Sequence, residues 1–114
     1  IEYLATSLIP AFSTRWQKLG NHPLVGEARS VGLIGALELV GNKNGRQRFP
    51  KERKAGERCR DFCIEQGLVM RAVGDTMIVA PPFILSEAQL DELVDKAWKA
   101  LDLTQQALGA AAGA

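Results

Sequence analysis

Few side chains in this sequence could bind a metal ion or form a disulfide bond. Its 114 residues include one histidine, His22, and two cysteines, Cys59 and Cys63. The cysteines lie one helical turn apart in a segment with helical periodicity, where a disulfide is geometrically poor and two ligands do not complete a zinc site. We therefore expect no metal site, two small buried cysteines, and a structural role for His22 in a turn.

The sequence also has no large excess of charge and no long apolar run. Fourteen lysines and arginines against 13 aspartates and glutamates leave a net charge of +1, which excludes a strong field for recruiting nucleic acid or an anionic membrane. No apolar run approaches the roughly 20 residues that span a bilayer, and no signal segment opens the chain. We expect a cytoplasmic protein that binds neither nucleic acid nor membrane.

Motifs for nucleotide binding and for covalent catalysis are absent too. The glycine spacings of Walker and Rossmann loops do not occur, and no pair of carboxylates shares an apparent cleft. A lysine that forms a Schiff base needs a pocket that lowers its pKa, whereas every lysine here lies in a polar loop or on a polar helix face. These lysines are Lys18, Lys43, Lys51, Lys54, Lys96 and Lys99. We expect no catalytic and no cofactor-binding residue in this chain.

The composition that remains is that of one globular domain, with 46% hydrophobic and 24% charged residues. The chain begins with Ile1 rather than methionine and enters a helical pattern without a start signal, so we expect a fragment of a longer chain. Residues 1–108 should form the domain. Residues 109–114 are all glycine or alanine, without the apolar bulk to pack, and should form a disordered tail.

Apolar residues at helical spacing predict three helices. The first covers residues 3–19, with a kink or a restart at Pro10, because proline removes a backbone donor and clashes with the preceding turn. The second covers residues 51–66 and is closed by the glycine that follows it. The third begins at a capping box over residues 86–89 and ends near residue 108.

Two strand pairs are predicted between the helices. Residues 24–40 are mostly apolar with glycine interruptions, which predicts two strands with a bend near residues 30–32, the second strand being central in the sheet. Farther along, Gly74 occupies the first central position of a two-residue turn between apolar runs, as a type II′ hairpin requires. This turn fixes the register. The predicted pairs are Ala72 with Met77, Arg71 with Ile78, Met70 with Val79, and Val69 with Ala80.

The hairpin register assigns the side chains to two faces. One face is wholly apolar and should pack on the helices; it contains Leu68, Met70, Met77 and Val79. The other face is mixed; it contains Val69, Arg71, Val73, Thr76 and Ile78. Together these elements predict an α+β two-layer domain, a small, largely antiparallel sheet with helices packed on one face.

Arg71 is unusual because it is a permanent charge in the middle of an apolar strand. It can be an exposed strand residue paired with Asp75 or Glu38. Alternatively, it is a guanidinium that binds a carboxylate through two parallel hydrogen bonds, on a sheet face that another domain covers. The residues alone leave both interpretations open.

Four segments carry a family resemblance, and a long amphipathic helix follows the last of them. They are HPLVGEAR at 22–29, GLIGALEL at 32–39, GLVMRAVGDT at 67–76 and APPFILSE at 80–87. In this order they resemble the C-terminal signature of class III pyridoxal-phosphate-dependent aminotransferases. The resemblance covers residues 3–105, and Ser30 departs from it because the family commonly has glycine there.

The resemblance implies that this chain is the small domain of a fold-type-I enzyme that uses pyridoxal 5′-phosphate. In the omega-transaminase branch, the arginine that matches Arg71 binds the substrate carboxylate and swings aside for substrates that lack one. The Schiff-base lysine and the cofactor site then belong to a large domain absent from this chain. The implied partners are that large domain, an amino donor and a keto acid, in a homodimeric enzyme that transfers an amino group. The mixed sheet face should accordingly be exposed in this chain or covered by another copy of it.

Two alternatives remain open. A class III aminomutase or decarboxylase would share this domain, because the residues that distinguish the chemistries lie in the large domain. A free-standing ligand-binding module of ferredoxin-like shape would contain similar elements without a large domain.

The lysine environments generate a first prediction. Mixed with pyridoxal phosphate, the purified chain should form no specific imine and catalyse no amino transfer, because each lysine lies in a polar setting. Absorbance spectra, and peptide mapping after borohydride reduction, measure this. Stoichiometric labelling of a single lysine would contradict it.

Overall fold

The chain forms a four-stranded antiparallel sheet and three helices, in a computed structural model that describes residues 7–43, 45, 47–81 and 86–113. The helices are α1 (Ile9–Gln17), α2 (Ala55–Glu65) and α3 (Glu87–Gly113). The strands are β1 (Val25–Val31), β2 (Ile34–Leu39), β3 (Arg71–Val73) and β4 (Thr76–Val79). Their order in the sheet is β1-β2-β4-β3, so β2 is central, as predicted.

One face of the sheet is buried under the helices and forms the core. Along β2, Leu37 and Leu39 are buried, and on β4 Met77 and Val79 are buried beside them. The helices contribute large apolar side chains to the same cluster, including Phe12, Trp16, Leu90 and Leu101. The predicted α+β two-layer fold, with helices on one face of an antiparallel sheet, is confirmed.

A close approach of helix α1 to the sheet lies at Gly35 on β2. A β-carbon at this position would lie 2.5 Å from the ring of Trp16, so only glycine lets the indole reach the sheet. The indole Nε1 donates a hydrogen bond to the carbonyl of Ala36 at 3.2 Å, and the ring of Phe12 stacks on it at 5.5 Å. This contact fixes α1 on the inner face of the sheet.

The first hairpin turns slightly later than predicted. The bend expected near residues 30–32 is a two-residue turn at Gly32 and Leu33, with Gly32 at a φ of +59°. That left-handed conformation favours glycine, since a β-carbon there would be strained. The strands pair from Val31 with Ile34 back to Val25 with Leu39, with one irregularity after Val25.

The second hairpin has the predicted turn and a shorter ladder. Gly74 has a φ of +59° and Asp75 does not have a positive φ, which fits a type II′ turn. The pairs Arg71 with Ile78 and Ala72 with Met77 are confirmed, but the predicted pairs at residues 69 and 70 lie outside the ladder.

Residues 68–70 cannot extend this ladder fully because they follow directly on the end of α2. The N–H of Leu68 donates to the carbonyl of Cys63 at 2.8 Å, and Gly67, at a φ of +81°, closes the helix as predicted. The chain still carries Leu68 and Met70 to the inner face, where both are buried as expected.

The first two helices differ from their predicted bounds. Helix α1 begins at Ile9 with Pro10 in its first turn and ends at Gln17, and residues 3–6 of the predicted helix lie outside the described part. The predicted helix over 51–66 is divided, because Lys54, at a φ of +50°, separates a 3₁₀ turn (Lys51–Arg53) from α2.

Helix α3 begins as predicted and ends later. The capping box is confirmed: the hydroxyl of Ser86 accepts from the N–H of Gln89 at 3.2 Å, and the Gln89 side chain accepts from the N–H of Ser86 at 2.9 Å. The helix continues to Gly113, into the segment expected to be a disordered tail. Alanine has the highest intrinsic helix propensity, so an alanine run extends a helix already formed.

The single histidine ties α3 to the turn before β1. His22 is fully buried, and its Nδ1 accepts from the N–H of Leu24 at 3.1 Å. Its Nε2 therefore carries the hydrogen and donates to the carboxylate of Asp102 at 2.8 Å, while the ring of Trp98 meets it edge-on. The interactions of His22 are those of a structural residue.

Both cysteines are buried and free, as expected for their apolar role. The neighbouring Cys59 thiol and burial both raise the pKa of the Cys63 thiol. Within the described ranges, no three metal-binding side chains form a cluster. No helix in the same part of the chain combines the length and apolar character needed to cross a bilayer.

The Trp16 contact generates a second prediction. Gly35→Ala should lower the free energy of unfolding by about 1–3 kcal/mol, because the new methyl group must displace a buried ring. Urea unfolding of this chain, followed by tryptophan fluorescence, measures the change. Gly20→Ala is the control, since its β-carbon would be 3.6 Å from Ala28, an ordinary contact. An equal loss in both variants would contradict the steric explanation.

Candidate functional site

The face of the sheet that the helices leave uncovered is the candidate site, and we call it the outer face. Strand alternation assigns ten residues to it. They are Glu27, Arg29, Val31, Ile34, Ala36, Glu38, Arg71, Val73, Thr76 and Ile78.

Strand register arranges the outer face in rows that run across all four strands. One row consists of Arg71, Ile78, Ala36 and Arg29, each the direct partner of the next. The adjacent row consists of Val73, Thr76, Glu38 and Glu27. Two arginines therefore stand at opposite edges of one row, separated by the apolar side chains of β4 and β2.

Arg29, at the β1 edge, is neutralised by carboxylates. Its guanidinium contacts Glu27 at 2.8 Å and Glu38 at 2.9 Å, and the hydrogen bond to Glu27 is the main cause that raises the pKa of Arg29. The second oxygen of Glu38 contacts Arg48 at 2.6 Å. This cluster was not predicted from the sequence. The charged residues at alternate positions of β1 could have indicated it, because they lie on the same face as Glu38.

Arg71, at the β3 edge, is in the opposite situation. Its side chain is exposed, and among the described residues no carboxylate forms an ion pair with it and no acceptor forms a hydrogen bond with it. Glu38, one expected partner, is engaged by Arg29 and Arg48. Asp75, the other, accepts from the backbone N–H of Gly56 at 2.9 Å. The pairing with Asp75 or Glu38 considered from the sequence is therefore not present.

Apolar side chains flank Arg71 on the exposed surface. Val69 is 82% exposed and Val73 is 53% exposed, while Ile78 is half-buried. At the other end of the face, Val31 and Ile34 are also exposed. The expectation that this face is not covered by the chain's own helices is confirmed. Exposed apolar side chains grouped on one sheet face are typical of a binding or docking site.

The lysines do not fit a Schiff-base role. Five of the six are exposed, and Lys96 is half-buried in an ion pair with Glu92 at 2.9 Å. Lys43 donates to the carbonyl of Gly20 at 2.7 Å. A lysine nucleophile requires desolvation or a neighbouring cation that lowers its pKa, and these settings provide little desolvation.

No family model matches the chain, but individual proteins do. It is 50% identical over 108 residues to a putrescine–pyruvate aminotransferase of Pseudomonas aeruginosa, a match over 95% of this chain and 24% of the relative. It is 35% identical over 97 residues to the mitochondrial gamma-aminobutyrate transaminase 1 of Solanum lycopersicum, which covers 85% of this chain and 19% of that protein.

Solved structures give the same result. The crystal structure of an omega-transferase from Vibrio fluvialis superposes with a TM-score of 0.88 at 38% identity, over 96% of this chain and 27% of that one. A PLP-bound aminotransferase mutant from Vibrio fluvialis superposes with a TM-score of 0.86 at 36% identity, over 94% of this chain and 24% of that one.

The fold and these matches define the class: an α+β domain of the kind that aminotransferases contain. More particularly, the chain is homologous to the small C-terminal portion of omega-transaminases, as the sequence resemblance implied. It spans about a quarter of the length of the first relatives it matches.

The exposed outer face generates a third prediction. This chain should self-associate as its concentration rises, because an uncovered apolar patch drives association. Val73→Lys should shift sedimentation velocity profiles toward the monomer, since Val73 is an outer-face residue and 53% exposed. Ile64→Lys is the control, since Ile64 is similarly apolar and 56% exposed but lies on α2. If Ile64→Lys reduces association as much as Val73→Lys, the outer face is not the associating surface.

Proposed function

We propose that this chain is the C-terminal small domain of a pyridoxal-phosphate-dependent aminotransferase and that Arg71 binds the carboxylate of its substrate. One observation carries the role of Arg71. It is an exposed arginine without an intramolecular carboxylate partner among the described residues, on a face where Arg29 has two such partners. A buried or covered arginine normally has an anionic partner, so an unpaired one at a docking face is available to a ligand.

The remainder of the enzyme covers the outer face in this proposal. The chain spans about a quarter of its aminotransferase relatives, and the exposed valines beside Arg71 form an apolar surface that a larger domain can bury. Covering this surface removes water around Arg71, and electrostatic attraction strengthens as the local dielectric falls. A carboxylate bound there accepts two parallel hydrogen bonds from the planar guanidinium.

Pyridoxal phosphate is proposed to bind outside this chain, because none of its lysines fits the role of Schiff-base partner. The cofactor supplies the electron sink that amino-group transfer requires. The contribution of this chain is to orient the substrate through Arg71.

The substrates are proposed to be an amine donor and a keto-acid acceptor. The Pseudomonas aeruginosa relative is a putrescine–pyruvate aminotransferase, and the names of its substrates pair a diamine without a carboxylate with a keto acid that has one. A site that accepts both substrates needs an arginine whose side chain binds a carboxylate in one half-reaction and moves out of the site in the other. Arg71 suits this, because no described side chain holds its guanidinium in one rotamer. The family resemblance further supports a homodimeric, cytoplasmic enzyme.

The proposed binding of a carboxylate by Arg71 generates a fourth prediction. In the full-length enzyme, Arg71→Ala should lower kcat/KM for alanine or pyruvate roughly ten- to a hundredfold, because a charge-assisted hydrogen-bonded pair contributes that much to binding. It should change kcat/KM for simple aryl-alkyl amines far less. Steady-state kinetics on both substrate classes measure the ratio. Arg71→Lys should recover only part of the loss, because an ammonium lacks the two-pronged geometry.

Arg58→Ala is the matched control, since Arg58 is exposed on α2 and donates a hydrogen bond to the backbone carbonyl of Arg53. It should leave both specificity constants near their original values. Equal losses for acids and amines in a folded Arg71→Ala enzyme would show that Arg71 is an ordinary strand residue.

A further inference from the structure

The turn between β3 and β4 is attached to two other elements of the fold. The carboxylate of Asp75 accepts the backbone N–H of Gly56, in the first turn of α2, at 2.9 Å. The carbonyl of Asp75 accepts the N–H of Leu39, at the end of β2, at 2.9 Å. The two-residue turn is therefore held by a helix on one side and by the central strand on the other.

Helix α2 obtains its N-terminal cap from this turn rather than from its own flanking residue. Lys54, the residue before the helix, has a left-handed backbone and makes no side-chain cap. The Asp75 carboxylate takes that role from 19 residues farther along the chain. An anionic acceptor at a helix N-terminus is favourable, because the first N–H groups have no intrahelical partner and the helix dipole is positive there.

The backbones of helix and turn also touch directly. A β-carbon on Gly56 would lie 2.0 Å from the carbonyl oxygen of Gly74, a distance that no relaxation of a side chain could relieve. The turn cannot move toward the helix because of this contact. It cannot move away without breaking the hydrogen bond of Asp75.

Arg71 depends on this attachment because it shares a short hairpin with the turn. Strand β3 is three residues long, lies at the edge of the sheet, and among the described residues pairs with β4 alone. Arg71 is its first residue, and its guanidinium is at the end of a long side chain. A tilt of the hairpin therefore also displaces the guanidinium. Displacements of about 1 Å in a substrate-positioning group can cost on the order of a hundredfold in rate.

We propose that Asp75 is the positioning residue for Arg71: by fastening the hairpin turn to α2, it sets where the guanidinium meets the substrate carboxylate. The inference rests on the proposed role of Arg71. The hydrogen bond to Gly56 has a second effect, since it occupies the carboxylate of the hairpin itself. That acid then does not compete with the substrate for Arg71.

The test measures kcat/KM for pyruvate and for 1-phenylethylamine in the full-length enzyme. Asp75→Ala should lower the value for pyruvate roughly five- to tenfold and the value for the amine less than about twofold, because misplacement affects only the substrate that Arg71 holds. In Asp75→Asn, the ratio of kcat/KM for pyruvate to kcat/KM for the amine should lie within about threefold of the wild-type ratio, since the amide oxygen still accepts from Gly56. Asp95→Ala, a change of an exposed aspartate on α3, is the control and should change neither value.

A double variant separates positioning from an independent effect. Arg71→Ala combined with Asp75→Ala should lose no more selectivity than Arg71→Ala alone, because Asp75 acts through Arg71. Circular dichroism and thermal melting establish that each variant is folded. Should Asp75→Ala not fold, Asp75→Glu replaces it: it keeps the charge, carries the carboxylate one carbon farther, and should lower the ratio about two- to fivefold.

The outcomes distinguish this inference from the proposed function. A selective loss in Arg71→Ala, accompanied by equal losses for both substrates in Asp75→Ala, would overturn the role of Asp75 and leave that of Arg71 intact. Additive selective losses in the double variant would also overturn it. If Arg71→Ala lowers kcat/KM equally for both substrates, Arg71 does not bind the substrate carboxylate, and the positioning role of Asp75 is overturned as well.

Discussion

Trp16 packs against the backbone of Gly35 on the central strand β2, and the layering of the domain depends on this contact. The indole can reach the strand only because Gly35 has no side chain, and its Nε1 is satisfied by the carbonyl of Ala36. Helix α1 is thereby fixed on the inner face, where α2 and α3 complete one hydrophobic core. With all three helices on one side, no described helix covers the outer face.

The uncovered face has an uneven distribution of charge. At the β1 edge, arginines and glutamates neutralise one another, so this edge gains little by binding a further anion. At the β3 edge, Arg71 stands among exposed valines without a described carboxylate partner. For an arginine in such a setting, binding a carboxylate becomes most favourable in free energy once water is removed. This asymmetry, rather than the presence of arginine alone, supports the proposed site at β3.

A domain with one uncovered apolar face has a limited core. A chain of 114 residues buries only about two-thirds of the surface that it exposes when unfolded. The long-range contacts that tie its elements together are correspondingly important. His22 links α3 to the turn before β1, and Asp75 links the second hairpin to α2. Each contact satisfies a buried or capping hydrogen bond, and each crosses between elements that local propensity would leave independent.

Features set by neighbouring residues could be predicted from the sequence. The capping box at Ser86, the glycine cap at Gly67, and the type II′ turn at Gly74 with its register each depend on a few adjacent positions, as does the alternation that exposes Arg71 and Val69. The end of α3 was less closely predicted, since the helix continues past residue 108 to Gly113.

Only the tertiary structure decided which residues meet across long separations. The fit of Trp16 on Gly35, the ion pairs of Glu38 with Arg29 and Arg48, and the capping of α2 by Asp75 join residues 9 to 19 positions apart. No pattern of propensity or period specifies such pairs, since each requires the whole sheet to form first. The sequence therefore determined that Arg71 would be exposed on a strand, and the fold determined that its potential acidic partners would be occupied.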